Sequence, residues 1–264
     1  MTQRTYAVTG VASGIGAELA RILKEQGHRV IGFDIHETHA NLDRFIALDL
    51  NDAASITAAA AQVDEPLDGL CNNAGLPPRE GLQATILQVN FLGTRAFTHA
   101  LLPRLRAGGS VVNMASRAGA QWRENVAQIK RFAAVCGRED LAAFIAAEQI
   151  DATRCYNLTK EAIILWTMAE AEAMIQRELR MNTLSPGGTA TGIFGDFQRA
   201  FGAAVDRNIK RAGRAGKPEE IAQIAAFVLS PAANWLKGAD IAIDGGMGAF
   251  NLTDAMDLQG LRLA

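Results

Sequence analysis

Cysteine is scarce in this chain of 264 residues, which contains only three. They are Cys71, Cys136 and Cys155, and no CxxC motif or Cys/His cluster accompanies them. An odd number without such spacing argues against a disulfide framework and against a zinc site. The four histidines also lack ligand spacing, so we predict no metal. This cysteine usage is typical of a reducing compartment, and we expect a cytoplasmic protein.

An excess of positive charge and a long apolar run are also missing. The formal net charge is −2 and the sequence pI is about 6.1, which favours neither nucleic acid nor an anionic membrane as a partner. No apolar run is long enough to span a bilayer, and "MTQRTYAVTG" has no secretory signal layout. Hydrophobic residues make up 49% of the chain, enough for the core of one α/β domain over residues 1–264.

Short apolar runs alternate with amphipathic helical patterns along the chain. The runs predict strands at residues 6–10, 29–35, 44–50, 67–75, 110–116, 179–188 and 239–246. The helical patterns cover residues 15–27, 54–63, 82–109, 154–178, 192–211 and 217–230. This alternation predicts an α/β fold: a Rossmann-like, doubly wound parallel sheet of about seven strands with helices on both faces.

A glycine-rich turn, "TGVASGIG", follows the first predicted strand and opens the first helix. Gly10, Gly14 and Gly16 permit a tight turn and leave room for a pyrophosphate beside the free N–H groups of the helix. Asp34 ends the second strand, where a carboxylate would bind the adenosine ribose and repel a 2′-phosphate. The turn holds no Arg or Lys, so the sequence favours NAD over NADP. Alternatively, Asp34 only ends a strand and caps a turn.

Seven motifs occur in an order that resembles the short-chain dehydrogenase/reductase family over nearly the whole chain. They are "TGVASGIG", "NNAG", "VNFLG", "NMASRAG", "YNLTK", "NTLSPGGTAT" and "DGG". The resemblance implies a catalytic tetrad of Asn90, Ser116, Tyr156 and Lys160. It also implies cofactor contacts from the matching positions, which are Gly10, Ser13, Gly14, Ile15, Gly16, Asp34, Asp49, Leu50, Asn73, Ala74, Gly75, Tyr156, Lys160, Pro186, Gly187, Thr189 and Thr191.

Tyr156 and Lys160 are one helical turn apart and form the implied acid/base pair. Free tyrosine titrates near 10, so a neighbouring ammonium and a positive nicotinamide are expected to lower the pKa of the phenol. Ser116 would donate to the substrate oxygen, and Asn90 would hold a water that links Lys160 to solvent. Together they imply an alcohol dehydrogenase that is reversible as a carbonyl reductase.

The sequence departs from most of the family before the catalytic tyrosine. Forty residues separate Ser116 from Tyr156, and residues 120–153 form a helical insertion that resembles a subgroup with coniferyl alcohol dehydrogenase and bacterial 3α-hydroxysteroid dehydrogenase. An apolar, ring-bearing alcohol such as coniferyl alcohol is the expected substrate. A 3α-hydroxysteroid-type activity and a non-catalytic NAD-binding regulatory protein are the alternatives. A homodimer or homotetramer is expected, in part because such insertions form a dimer surface in the steroid enzyme.

Aromatic residues are candidates for an apolar substrate site. A variable region at residues 188–215 is expected to close over substrate, with Phe194, Phe197 and Phe201 either sealing the pocket or making an oligomer contact. Trp122 and Trp166 would line the cleft or pack in the core. Residues 247–264 are predicted to form a tail that packs on a neighbour.

Overall fold

The structure is a computed structural model that describes residues 2–135 and 138–261, so Cys136 lies outside the described residues. Seven parallel strands form one sheet. They are β1 (Thr5–Thr9), β2 (Arg29–Asp34), β3 (Arg44–Ala47), β4 (Leu67–Asn72), β5 (Leu105–Met114), β6 (Arg180–Pro186) and β7 (Asp240–Ile243). Their order, β3-β2-β1-β4-β5-β6-β7, reverses between β1 and β4, and such a reversal creates a ligand crevice at the carboxyl ends.

Helices connect the strands and cover both faces of the sheet. The α-helices are α1 (Gly14–Glu25), α2 (Ala53–Ala61), α3 (Gln83–Leu87), α4 (Thr94–Leu101), α5 (Val126–Ala133), α6 (Arg138–Glu148), α7 (Ala152–Ala169), α8 (Ala171–Gln176), α9 (Phe194–Phe201), α10 (Ala203–Ala212), α11 (Pro218–Leu229) and α12 (Met247–Ala255). The predicted doubly wound α/β fold is confirmed. No helix in the described part of the chain is long and apolar enough to cross a membrane.

Alternate residues of β1 enter two different hydrophobic cores. Ala7 belongs to the core on one face of the sheet, and Tyr6 and Val8 belong to the core on the other. Successive strand residues point to opposite faces, so a strand buried on both faces must be apolar at nearly every position. This explains why β1 reads as a continuous apolar run rather than as an alternating pattern.

The predicted long helix over residues 82–109 is wrong in its last eight residues. The helix ends at Leu101, a 3₁₀ turn carries Pro103, and β5 already begins at Leu105. Pro103 fits the first turn of the 3₁₀ segment, where its missing N–H costs nothing. Gly108 then adopts φ +80°, which breaks a right-handed helix.

The insertion is helical, as predicted, in the part that the structure describes. Helices α5 and α6 pack on the core through Phe132 and Phe144, whose ring centroids are 5.7 Å apart. The terminal tail forms α12 and a short 3₁₀ turn, Leu258–Leu261. It contacts α10 of the same chain, because Arg211 on α10 pairs with Asp254 at 2.5 Å.

A buried arginine closes the end of α11. The Arg180 guanidinium on β6 donates to the carbonyl oxygens of Val228, Leu229, Ser230 and Ala233 at 3.0 to 3.4 Å. These include the last carbonyls of α11, which have no partner within the helix, and the cation also complements the helix dipole. Burial lowers the pKa of Arg180. Arg180 therefore fixes α11 to the sheet.

Replacing Arg180 by methionine should destabilise the fold. Arg180→Met keeps the apolar stem and leaves buried carbonyls without donors, so we expect a loss of about 2–3 kcal/mol in the free energy of unfolding. Urea denaturation measures the loss. Arg44→Met, which removes an exposed pair with Asp64, is the control and should change stability by less than about 0.5 kcal/mol. Equal midpoints for both variants would contradict the role of Arg180.

Candidate functional site

The glycine turn between β1 and α1 leaves no room for side chains. Gly10 and Gly14 have φ of +74° and +57°, and a Cβ at Gly16 would stand 2.0 Å from the Gly10 carbonyl oxygen. Ser13 is the N-cap of α1 but makes no side-chain capping bond, and Ile15 lies half-buried in the first turn. The turn therefore presents the N-terminus of α1 to a ligand, which fits a pyrophosphate.

The Asp34 carboxylate is bound to the glycine turn. One oxygen accepts a hydrogen bond from the Ala12 amide at 3.0 Å, and the other accepts from the His36 amide at 2.9 Å. Asp34 thus caps the end of β2, as one of the two sequence interpretations requires. Each carboxylate oxygen keeps a further lone pair, so the cap leaves the predicted ribose contact possible.

The two residues of the next predicted pair, Asp49 and Leu50, differ in exposure. Asp49 is exposed, and its carboxylate accepts from the Asn51 amide at 2.8 Å. The Leu50 side chain lies in the hydrophobic core, and its carbonyl oxygen would be 2.0 Å from a Cβ at Gly93. Any contact of Leu50 with an adenine would therefore come from its backbone.

The loop after β4 is held against the glycine turn. The amides of Asn73 and Ala74 both donate to the Thr9 hydroxyl at 3.0 Å, and the Asn73 side chain donates to the carbonyls of Thr9 and Gly10 at 3.2 Å. Gly75 follows directly. A Cβ there would stand 3.2 Å from Asn90 Oδ1 and 3.8 Å from Lys160 Nζ. The loop therefore brings the predicted cofactor residues next to the predicted catalytic ones.

Asn90 lies in a π-helical segment, Gln88–Gly93, inserted between α3 and α4. Such segments are rare and are frequent at functional sites. The buried Asn90 amide binds both backbone groups of Leu76: Oδ1 accepts from the N–H at 2.7 Å, and Nδ2 donates to the carbonyl at 2.9 Å. The predicted water would therefore bind the second lone pair of Oδ1 or the Asn90 backbone carbonyl.

Ser116, Tyr156 and Lys160 meet at the end of β5. The Ser116 side chain accepts from the Ala118 amide at 3.1 Å, and its interaction with the Tyr156 phenol acts to lower the pKa of that phenol. Lys160 Nζ donates to the Met114 carbonyl at 2.8 Å and lies 5.5 Å from the centroid of the Tyr156 ring. The fold thus brings together all four residues of the predicted tetrad.

Burial sets the proton affinities of the pair on α7. It raises the pKa of Tyr156, and the hydrogen bond with Ser116, which lowers the pKa, does not compensate. Burial also lowers the pKa of Lys160 to about 8. Without a cofactor, desolvation of the phenolate is the largest effect on the pKa of Tyr156. The expected lowering, which combines the ammonium with a positive nicotinamide, stays a prediction.

The loop after β6 closes the cleft from the other side. Pro186 ends β6, and a Cβ at Gly187 would stand 2.9 Å from Asp244 Cα. Thr189 donates to the Gly187 carbonyl at 3.1 Å, and the Thr191 methyl would be 3.4 Å from a Cβ at Gly14. This loop therefore touches the glycine turn, as its predicted place at the nicotinamide end requires.

Two phenylalanines of α9 cover the Tyr156 ring. The centroids of Phe197 and Phe201 are 5.3 and 6.4 Å from that of Tyr156, both in edge contact, and the two phenylalanine rings stack on each other. This arrangement agrees with the pocket-sealing interpretation of the variable region. Trp166 packs on Phe91 in the core instead of lining the cleft. The side chain of Phe194 lies outside what the structure describes.

Sequence reasoning missed three ion pairs around the site. Arg117, next to Ser116, binds Asp244 at 3.0 Å, and Arg79 binds the buried Asp196 of α9 at 2.7 Å. Arg154 binds Glu161 at 2.6 Å. Of these six residues, Arg117 lies in the motif "NMASRAG" and Asp244 in "DGG", and the other four lie in no motif. Among the described residues, no three His, Cys, Asp or Glu side chains form a group that could hold a metal.

Comparisons with known proteins agree with this geometry. The model of the short chain dehydrogenase family matches residues 4–128, and a model described as enoyl-(acyl carrier protein) reductase matches residues 140–248. The chain is similar to coniferyl-alcohol dehydrogenase of Pseudomonas sp. (strain HR199 / DSM 7063), with 35% identity over 94% of this chain and 97% of that protein. It is 30% identical to 3-alpha-hydroxysteroid dehydrogenase/carbonyl reductase of Comamonas testosteroni over 92% and 95%.

A solved structure is similar over nearly the same length. It is the 3-alpha-hydroxysteroid dehydrogenase from Pseudomonas sp. B-0831 complexed with NADH. The TM-score is 0.81 and the sequence identity 28%, with 94% of this chain and 98% of that chain covered.

The buried Lys160 should cost stability. Its folded pKa of about 8 lies below the unfolded 10.5, so the unfolded state binds more protons between these values and stability should rise with pH there. Below pH 8 the full penalty applies, and Lys160→Met should stabilise the cofactor-free protein by about 2 kcal/mol. Urea denaturation at pH 7 and pH 10 measures the gain, which should shrink at the higher pH. A gain that does not depend on pH would contradict this assignment.

Proposed function

The chain belongs to the short-chain dehydrogenase/reductase family of oxidoreductases that act on CH–OH groups, and from this premise we propose that it is an NAD-dependent dehydrogenase of apolar, ring-bearing alcohols such as coniferyl alcohol. The proposed reaction is reversible, so the protein also acts as a carbonyl reductase. One observation carries the proposal: Tyr156, beside Lys160, is covered by two phenylalanine rings.

The proposed mechanism assigns a separate task to each residue of the tetrad. NAD, when bound, supplies the hydride acceptor. Tyr156 takes the hydroxyl proton of the alcohol, and Ser116 donates to the same oxygen and stabilises its developing negative charge. Lys160, held by the Met114 carbonyl, places a cation beside the phenol and favours the phenolate when charged. Asn90 anchors the β4 loop over Lys160 through Leu76.

Cofactor binding is assigned to the glycine turn, Asp34, Asp49 and the loops after β4 and β6. Asp34 supports the choice of NAD over NADP, because its carboxylate beside the Ala12 amide would repel a 2′-phosphate at the end of the ribose. The steroid enzyme with the similar structure was solved with NADH, which is consistent with this choice.

The proposed substrate class follows from the two phenylalanine rings that cover the site. Phe197 and Phe201 place aromatic faces and edges beside Tyr156, and such surfaces bind a planar ring by dispersion and stacking. The name of the similar coniferyl-alcohol dehydrogenase agrees with this substrate class. The second candidate is a 3α-hydroxysteroid-type activity, favoured by the structural similarity over 98% of the steroid enzyme's chain. A panel of aryl, steroid and aliphatic alcohols, assayed for NADH formation, separates these classes.

Three further features complete the proposal. Residues 1–264 form one catalytic domain, since the tetrad and cofactor positions lie on loops and helices that pack around a single sheet. The protein is a homodimer or homotetramer, supported by Trp235, which is 92% exposed, and by Phe227 on α11, which is 47% exposed.

The proposed location is the cytoplasm, where the buried thiols of Cys71 and Cys155 stay reduced.

Tyr156→Phe should abolish turnover and leave NAD binding intact. The phenylalanine ring keeps the contact with Phe197 but has no acidic hydroxyl, so we expect kcat to fall by roughly 10³-fold or more. Stopped-flow or steady-state absorbance at 340 nm measures kcat, and calorimetry measures NAD affinity. Tyr6→Phe, which changes the other tyrosine of the chain, is the control. Turnover by Tyr156→Phe at the wild-type rate would exclude the mechanism.

Asp34→Asn should weaken the preference for NAD. Asparagine has nearly the same shape but no charge, so the repulsion of a 2′-phosphate is lost and the ratio of kcat/KM for NAD to that for NADP should fall by about tenfold. Glu37→Gln removes an exposed charge three residues away and should leave the ratio unchanged. If both variants change the ratio equally, the effect comes from net charge and not from Asp34.

A further inference from the structure

Helix α7 carries a buried ion pair that the mechanism above does not use. Arg154 binds Glu161 with both ends of its guanidinium: Nη1 is 2.9 Å from Oε1, and Nη2 is 2.6 Å from Oε2. The Glu161 side chain is only 1% exposed. The two residues are seven positions apart, which places them on the same face of α7, two turns from each other.

The insertion completes the binding of this pair. Asn125 Nδ2, just before α5, donates to Glu161 Oε1 at 2.8 Å. Gln128 Oε1, on α5, accepts from Arg154 Nε at 2.9 Å and from Nη2 at 2.6 Å. Gln128 Nε2 in turn donates to Glu148 Oε2, at the end of α6, at 3.0 Å. Both insertion helices are therefore linked to this one pair on α7.

The pair and the proposed catalytic residues lie on different faces of the same helix. At about 100° per residue, Tyr156 and Lys160 point roughly away from the line that joins Arg154 to Glu161. Arg154 is two residues before Tyr156, and Glu161 directly follows Lys160. A rotation of α7 about its axis would therefore break the hydrogen bonds that Asn125 and Gln128 make with the pair on one face, and would move the phenol from Ser116 on the other.

The insertion also supports the segment that carries Asn90. Phe132 of α5 packs on Phe91, with ring centroids 5.2 Å apart, and Phe91 directly follows Asn90. Arg95 lies over the Phe91 ring at 5.2 Å and donates to the Ala133 carbonyl at the end of α5 at 3.1 Å. The insertion thus contacts the direct sequence neighbours of both Asn90 and Lys160.

Stability alone does not account for burying two charges at this place. A buried ion pair costs desolvation, and well-packed apolar side chains of similar size often stabilise a protein as well or better. The bidentate geometry instead fixes the orientation of α7 relative to the insertion, because the planar guanidinium fits one arrangement of carboxylate and amide partners. We propose that Arg154 and Glu161 are positioning residues, through which the insertion fixes the rotation of α7 and holds Tyr156 and Lys160 in their reactive geometry. This inference rests on the dehydrogenase function proposed above.

The test separates stability from positioning by comparing single and double variants. Arg154→Met and Glu161→Gln each leave a buried partner unsatisfied, and both should lower the urea midpoint. Arg154→Met/Glu161→Met removes both charges, so its midpoint should return toward that of the wild type. Its kcat should nevertheless stay roughly 10- to 100-fold below the wild-type value, because small misplacements of reacting groups cost rate. The KM for NAD should change less than about twofold, because the pair touches no residue assigned to the glycine turn.

A spectroscopic readout makes the test independent of turnover. The chain has 2 tyrosines, so ¹³C-labelling of the tyrosine ring carbons gives two resonances that Tyr6→Phe assigns. In the charge-free double variant, the Tyr156 resonance should shift or broaden while the Tyr6 resonance stays in place. If the wild type turns over no alcohol, the proposed function fails, yet the shift of the Tyr156 resonance still tests the positioning role.

Two further variants serve as controls. One keeps the test possible if the charge-free double variant does not fold, and the other shows whether the loss of any ion pair lowers kcat. Asn125→Ala/Gln128→Leu leaves Arg154 and Glu161 in place and removes only the hydrogen bonds that the insertion makes with them. We expect a several-fold lower kcat. Asp68→Asn breaks a half-buried pair with Arg4 at the start of β4, the end of the sheet away from the site, and should lower stability without changing kcat. A double variant whose kcat and Tyr156 resonance return to wild type together with its midpoint would overturn the proposal. Wild-type kcat in Asn125→Ala/Gln128→Leu would overturn the insertion's part in it.

Discussion

The ammonium of Lys160 lies inside the protein, and the other parts of the site are arranged around it. Its side chain is 6% exposed, and its Nζ donates to the carbonyl of Met114 at the end of β5. This bond fixes the separation between α7 and the strand end that carries Ser116. The same burial lowers the pKa of the ammonium and raises that of the Tyr156 phenol. A group that binds in the cleft and carries positive charge would shift this balance toward the phenolate, which makes ionisation of the tyrosine depend on an occupied site.

Helix α7 is held on several faces by different forces. Its inner face contacts the end of β5 through Lys160, and the insertion binds it through the ion pair of Arg154 and Glu161. Helix α9 covers Tyr156 with apolar rings, and Asp196, beside Phe197, holds α9 to Arg79 in the loop after β4. The insertion therefore contacts α7 on one face, and α9 covers Tyr156 on another, so two separate segments of the chain support this helix.

This chain shares its fold with its relatives. Coniferyl-alcohol dehydrogenase and the 3-alpha-hydroxysteroid enzymes are similar to it over almost the whole length. In this chain the side chains that cover Tyr156 are those of Phe197 and Phe201, whose rings stack on each other.

The sequence by itself determined the fold class, and it pointed to the four residues of the predicted tetrad. The sequence shows these features as local patterns. They are buried strands, glycines that cannot carry a Cβ, and a tyrosine one helical turn before a lysine. Pro103 shows the limit of such patterns, because residues 105–109 fit a helix until β4 offers a strand partner. The partner of Arg154, the clamp of Asn90 on Leu76 and the raised tyrosine pKa were decided only by the tertiary structure. Each depends on which distant groups share a desolvated space, and no spacing along one chain encodes that.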